Sequence, residues 1–220
     1  MSVNEKMTAL AEAVRSVSHK KGKLTIDGMT SALSGVSNFS KSVIERTVTK
    51  ITAEDLEGIE IIGEDLFRNH PTLTKVQLSD TVKALGHSAF NGCKNLTEFD
   101  FNNGGGTVGG WVLFGTAIEH LTVPDSVTWT SAETFSWCEN LKNVIWNASN
   151  APIWSGGFAC CKSLEYIDFS QCNKVVLLNN ISAFEGVPNT CKFYVPAALF
   201  DEWKAATNWS AFADQIMVKP

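Results

Sequence analysis

Charge is in short supply in this chain. Charged residues make up 19% of its 220 positions, and the net charge is −5. So low a charged fraction disfavours disorder. The acidic balance leaves no basic face to displace counterions, so nucleic acid is not expected as a partner. Long apolar runs are missing as well. Val175-Val176-Leu177-Leu178 is among the longest, against the roughly 20 residues of a membrane helix, so no membrane insertion is expected. The opening, MSVNEKMTALAEAVR, has no apolar signal core, and signal-dependent export is not expected either. No C-x-x-C pair or G-x-S-x-G elbow occurs, and His19, His70, His87 and His120 share no metal spacing. Zinc and serine-nucleophile chemistry therefore lack their usual signatures. Hydrophobic residues still reach 44%, enough for a core.

What the sequence does contain is a repeat, and repeats decide the architecture. Phe67, Phe90, Phe114, Phe135, Phe158 and Phe184 recur at intervals of 23, 24, 21, 23 and 26 residues. Leu73, Leu96, Leu141 and Leu164 each follow six residues later, and Ile118 follows four later. Three residues beyond each comes a triplet with apolar outer positions: Val76-Gln77-Leu78, Phe99-Asp100-Phe101, Leu121-Thr122-Val123, Val144-Ile145-Trp146 and Ile167-Asp168-Phe169. Phe193-Tyr194-Val195 is a sixth, in a stretched unit. Such a triplet is a one-sided strand, its flanks pointing inward and its middle outward. One unit cannot bury these side chains alone, whereas stacked units bury them against each other. The predicted fold is an α/β repeat solenoid, a right-handed stack of units of about 22–24 residues with a short-stranded parallel sheet.

Residues 81–101, TVKALGHSAFNGCKNLTEFDF, and 126–146, SVTWTSAETFSWCENLKNVIW, resemble the BspA-like (Treponema-type) leucine-rich repeat, as do HLTVPDSV at 120–127 and IEIIGEDLFRNHPTLTKVQL at 59–78. The likeness covers roughly residues 44–196. It departs at Gly104–Gly110 and at 172–183. In this frame Cys93, Cys138 and Cys161 each lie three residues after the repeat Phe, as buried thiols at a turn. Cys160, Cys172 and Cys191 lie off that position. One bridge among them stays open, but the six do not form a disulfide framework. Gly104-x-Gly106-x-x-Gly109 formally matches a dinucleotide fingerprint. WVLFGTA follows it in place of a helix, so no cofactor is expected and the run reads as a loop inserted between coils.

Two ends flank the repeats. Met7, Leu10, Ala11, Val14 and Val17 share a helical face, and Thr25 or Asp27 can cap a second short helix. Residues 1–38 are assigned as an N-terminal helical module for attachment or oligomerisation, 39–196 as the solenoid, and 197–220 as a C-terminal capping helix. MTALAEAVRSVSHKKGKLTIDGMTSAL resembles N-terminal segments of tail and fibre proteins of phages and prophages of Firmicutes. That resemblance implies a virion protein, docked on other virion proteins through its N-terminal module or forming a homo-oligomer. YVPAALFDEWKAATNWSAFADQI resembles the C-terminal ends of such repeat proteins in gut Firmicutes and their phages.

Three sets of residues are candidates for function. Asp100, His120, Tyr166 and Asp168 face outward from the strands. Glu98 and Asp100, about 7 Å apart on one strand, would fit an inverting glycosidase. They lie on an open wall with nothing to raise a pKa, so no enzyme is expected and a carbohydrate hydrolase is the remote alternative. Of seven tryptophans, Trp146 falls on an inward strand position, and Trp203 and Trp209 belong to the cap. Trp111, Trp129, Trp137 and Trp154 fall at turn and edge positions filled elsewhere by small or polar residues. They either fill gaps between coils or stand exposed, where indoles stack on sugars and anchor protein partners. The expected function is non-enzymatic recognition of a host-surface glycan or protein from a virion. The alternative is a BspA-like adhesin on a bacterial surface.

Overall fold

A computed structural model of the chain describes residues 48–219 and the backbone of Gly22–Leu24. The predicted outward- and inward-facing triplets form two parallel sheets along one wall. One contains β2 (Lys50–Ile51), β4 (Lys75–Gln77) and β6 (Glu98–Asp100). The other contains β8 (His120–Val123), β9 (Asn143–Trp146), β10 (Tyr166–Asp168), β11 (Lys192–Val195) and β12 (Ile216–Val218). Their register advances one repeat at a time, as in Val76↔Phe99 and Leu121↔Val144↔Ile167↔Phe193. All six of these side chains are buried in one continuous core. The ladder of short parallel strands that the repeat required is therefore present, and the chain is a solenoid of stacked coils.

Four exposed ion pairs mark the same spacing. Lys83–Glu60, Lys75–Glu98, Lys142–Glu119 and Lys162–Glu139 lie 2.6–2.8 Å apart, each linking residues 23 positions apart. Exposed pairs of this kind contribute little to stability, because solvent and salt screen them. Their role is to match neighbouring coils in register rather than to hold the fold.

Three features differ from the sequence reading. The first is a second ladder on the opposite wall. It contains β1 (Gly22–Leu24), β3 (Ile59–Ile62), β5 (Ala84–Leu85) and β7 (Thr107–Val108), and continues as the bridge Thr107↔Trp129. Beyond β1, the assigned N-terminal module and its helices lie outside the described residues. The second feature is the repeat position in the fourth coil. Phe67 N bonds Ala89 O, Phe90 N bonds Val112 O, and Leu113 N bonds Thr134 O. Each amide thus meets the carbonyl just before the next coil's inward residue, which makes Leu113, not Phe114, the inward residue. Leu113 is fully buried and Phe114 is displaced outward. The run of residues Phe67, Phe90, Leu113, Phe135 and Phe158 then advances by 23, 23, 22 and 23. Only the turn after Leu113 is shortened, with Ile118 five residues on instead of six. Pairing between β6 and β8 lapses at that coil.

The third feature follows from the second. From Phe99 to Leu113 is 14 residues, as from Val76 to Phe90 and from Leu121 to Phe135. The glycine run at 104–110 is therefore no inserted loop. Gly105 N bonds Val82 O, Thr107 N bonds Lys83 O, and Gly106 O accepts from Thr128 N. The run is a regular part of the wall that presses against the preceding coil.

The cap also departs from an all-helical end. After the one-turn start at Ala197–Leu199, a short helix α1 (Phe200–Ala205) buries Trp203. A 3-10 turn at Trp209–Phe212 buries Trp209, and β12 then adds a last strand parallel to β11. Trp146, Trp203 and Trp209 are all fully buried, as expected.

All six cysteines are free. Cys93, Cys138 and Cys161 donate to Phe67 O, Leu113 O and Phe135 O of the preceding coil at 3.0–3.3 Å. His70 and Thr116 fill the same position in other coils, and His70 Nδ1 accepts from Leu73 N at 3.1 Å. Burial pushes the Cys93 and Cys191 thiols up to about 12 and Cys138 up to about 11. Cys161 and Cys172 are raised for the same reason. Only Cys160 is partly exposed. Because thiolate is the reactive form, native protein at pH 8 is expected to take up one equivalent of a thiol reagent rapidly and six after denaturation. Labelling of several thiols in the native state would contradict the buried stack.

Candidate functional site

Left-handed backbone recurs twice per coil. It falls at Asp65, Ser88, Trp111, Glu133 and Gly156, two residues before the inward residue, and at Asn69, Gly92, Gly115, Trp137, Cys160 and Gly186, two after it. Small and polar residues suit this conformation, whereas bulky ones are strained in it. Two tryptophans nonetheless occupy it, with φ of 57° at Trp111 and 59° at Trp137. Their rings point away from the core and are 37% and 46% exposed. Trp129 stands on the outer side of the second ladder, where Ala84 and Thr107 precede it, and is 46% exposed.

The four candidate tryptophans do not form one line of indoles. Trp129 and Trp154 contact each other, ring centroids 5.1 Å apart. Trp111 lies 5.0 Å from His87, and Trp137 lies 6.4 Å from Phe114 with Lys162 Nζ 5.5 Å above its ring. Trp154 is half-buried rather than exposed, and its Nε1 has no hydrogen-bond partner among the described residues. His87, Phe114 and Lys162 were not among the candidate site residues named from the sequence. Lys162 was legible there through its 23-residue spacing from Glu139; Phe114 was hidden by its placement as an inward residue.

The outward strand residues separate into two groups. Asp100 and His120 are exposed and share a depression of about 220 Å³ with Thr122, Asn143 and Ile145, at the lapse between β6 and β8. Tyr166 lies against Tyr194, centroids 5.6 Å apart. Asp168 does not face solvent as the triplet predicted. It is 5% exposed, covered by the chain end, and it accepts from Lys219 Nζ at 2.6 Å and Ser170 N at 2.8 Å. Burial acts to raise its carboxyl, but those donors together hold it below the usual range. Asp168 is thus spent on closing the cap.

Glu98 does not have the properties of a general acid. Its hydrogen bond and ion pair with Lys75 hold it below the usual carboxylate range, whereas a proton donor at neutral pH needs a raised value. Among the described residues no group of three or more His, Cys, Asp or Glu side chains could hold a metal ion. None of the described helices is long and apolar enough to cross a membrane.

A family model described as the BspA type leucine rich repeat region matches in six copies over residues 60–190. The fold is similar to that of PcpA, a pneumococcal vaccine antigen, with a TM-score of 0.63 at 18% identity over 79% of this chain and 42% of that one. It is also similar to TpLRR, the T. pallidum leucine rich repeat protein, with a TM-score of 0.50 at 19% identity over 70% of this chain and 81% of that one. The chain thus spans less than half the length of the PcpA structure. No curated protein sequence matches it significantly.

Proposed function

The chain belongs to the BspA-type leucine-rich repeat family, and from that premise we propose that it is a non-enzymatic recognition protein that attaches its bearer to a surface glycan or protein. The observation that carries this reading is the pair Trp111 and Trp137, large apolar side chains held in solvent on left-handed backbone. Packing does not require them there, because the same positions in other coils are filled by Ser88, Asn69 and Gly92. Strained backbone that the fold does not need points to use. Exposed indoles supply large contact area with a polar N–H, the property that makes tryptophan an anchor in interfaces.

Two settings fit a recognition protein of this kind. The likeness of residues 7–33 to phage tail and fibre proteins supports a virion, with that module docked on other virion proteins or on further copies of the chain. The similarity to a protein described as a vaccine antigen supports a bacterial surface. One binding panel addresses both: intact Gram-positive cells and their purified walls for the first, mucin and matrix glycoproteins for the second. Saturable binding is expected to one of these, falling at least tenfold on Trp111→Ser with the unfolding midpoint nearly unchanged. Binding to neither class, or full binding by the variant, would overturn the reading.

A further inference from the structure

On the wall that follows strands β6, β8, β9 and β10, four successive coils line a groove of about 570 Å³. Asn103 follows β6, Asp125 follows β8, Asn147 and Asn150 follow β9, and Gln171 and Asn173 follow β10. Carboxamides dominate it. At the usual strand spacing the four coils extend roughly 14 Å. The volume falls within the range of small-ligand sites.

The groove gathers amides that the fold does not use. Several amides outside it are spent on the fold: Asn208 Nδ2 donates to Leu178 O and Asn179 O, Gln215 Nε2 to Cys191 O, and Asn180 caps the turn at Ile181–Phe184. In the groove, the side chains of Asn103, Asn147, Gln171 and Asn173 make no hydrogen bond with any described residue. Asn147 Oδ1 is shielded from solvent and still has no partner among the described residues, a state that native structures generally avoid. Asn150 Oδ1 accepts from Lys174 Nζ at 2.7 Å, which leaves a single cation at the rim. Asp125 is the one carboxylate lining the groove.

We propose that this groove binds a neutral, hydroxyl-rich oligosaccharide. Each carboxamide offers a donor and an acceptor side by side, and neighbouring sugar hydroxyls offer both in return. A phosphorylated, sulfated or sialylated glycan would need a cluster of cations, whereas the lining itself holds none and Asp125 would repel it. The inference rests on the recognition reading and names the chemistry of a second site, on a different wall from Trp111 and Trp137.

The test titrates the full chain with neutral oligosaccharides of glucose, galactose, mannose and N-acetylglucosamine, with sialyllactose and an extended Ser/Thr-rich peptide as the competing classes. A neutral oligosaccharide is expected to bind, with Kd raised at least tenfold by Gln171→Ala/Asn173→Ala, two exposed positions whose loss leaves the core intact. Asn147→Leu is expected to act the same way, and Lys94→Ala, an exposed position outside the groove, to change Kd less than twofold. No neutral sugar bound, binding indifferent to the groove variants, or preference for sialyllactose or peptide would overturn the proposal. The two readings fail separately. Indole-dependent attachment in the surface panel without sugar binding removes the groove alone, whereas no attachment in that panel removes the recognition reading.

Discussion

Gly106→Ala is expected to destabilise the protein by about 2–5 kcal/mol, a large share of the roughly 5–15 kcal/mol that holds a domain folded. Two costs add. Gly106 has φ of +42°, where an L side chain loses roughly 1–2 kcal/mol. A Cβ there would also stand 2.1 Å from Lys83 O, a backbone atom of the preceding coil that has no free end to swing away. Forcing extra volume into packed structure costs roughly 1–3 kcal/mol more. Lys83 O is already engaged by Thr107 N, so yielding would break the β5–β7 ladder. Gly115→Ala is the control. Gly115 has φ of +65° but nothing within 4 Å of the added carbon, so only the conformational cost of roughly 1–2 kcal/mol applies. Urea unfolding of both variants measures the difference. Equal losses would show that the glycine run does not press on its neighbour.

The consequence reaches the recognition surface. Gly106 O accepts from Trp129 N at 3.3 Å and Thr128 N at 2.7 Å. A displaced Gly106 therefore moves the strand position that presents Trp129. The glycine run, which the sequence suggested was a loop inserted between coils, is part of what places a candidate binding residue.

That misreading shows where legibility ended. The inward triplets were readable because burial imposes a period on apolar residues, and that period held from Val76 to Val195. The thiols of Cys93, Cys138 and Cys161 were readable for the same reason. The position of the fourth coil was not. Leu113 and Phe114 are both apolar, and composition favours the Phe; only the bond from Leu113 N to Thr134 O assigns the inward place to Leu113. The second ladder escaped because its strands are two residues long in β5 and β7, too short to show alternation. β12 escaped because Ile216-Met217-Val218 reads as a continuation of the cap. For the candidate site, the sequence located unusual tryptophans but not the backbone beneath them. A positive φ at Trp111 or Trp137 leaves no trace in the residue itself. It became visible only once the aligned positions held Gly92, Asn69 and Ser88. The buried Asp168 was unreadable for another reason, since its cover, Lys219, lies 51 residues away.

Two tryptophans nine residues apart are expected to respond in opposite ways. Trp146→Ala should cost about 3–5 kcal/mol. Its ring is fully buried against Phe135, Phe158 and Phe169, with centroids 6.0–6.4 Å away, and its Nε1 donates to Ala148 O at 3.0 Å. In a solenoid each coil is stabilised mainly by its neighbours, so a hole in this layer weakens coils on both sides. Trp137→Asn should leave stability within about 1 kcal/mol, because two terms offset. Asparagine accepts left-handed backbone that tryptophan resists, while the weak contact with Lys162, a cation over an exposed ring, is lost. Asn69 already fills the equivalent position in an earlier coil. Surface attachment should nevertheless fall at least tenfold, the size expected when an interface anchor is removed. Thermal unfolding and the binding panel, run on both variants, separate a structural indole from a functional one. If Trp137→Asn destabilises the fold as Trp146→Ala does, the exposed ring is part of the packing, and the strained backbone beneath it is no sign of recognition.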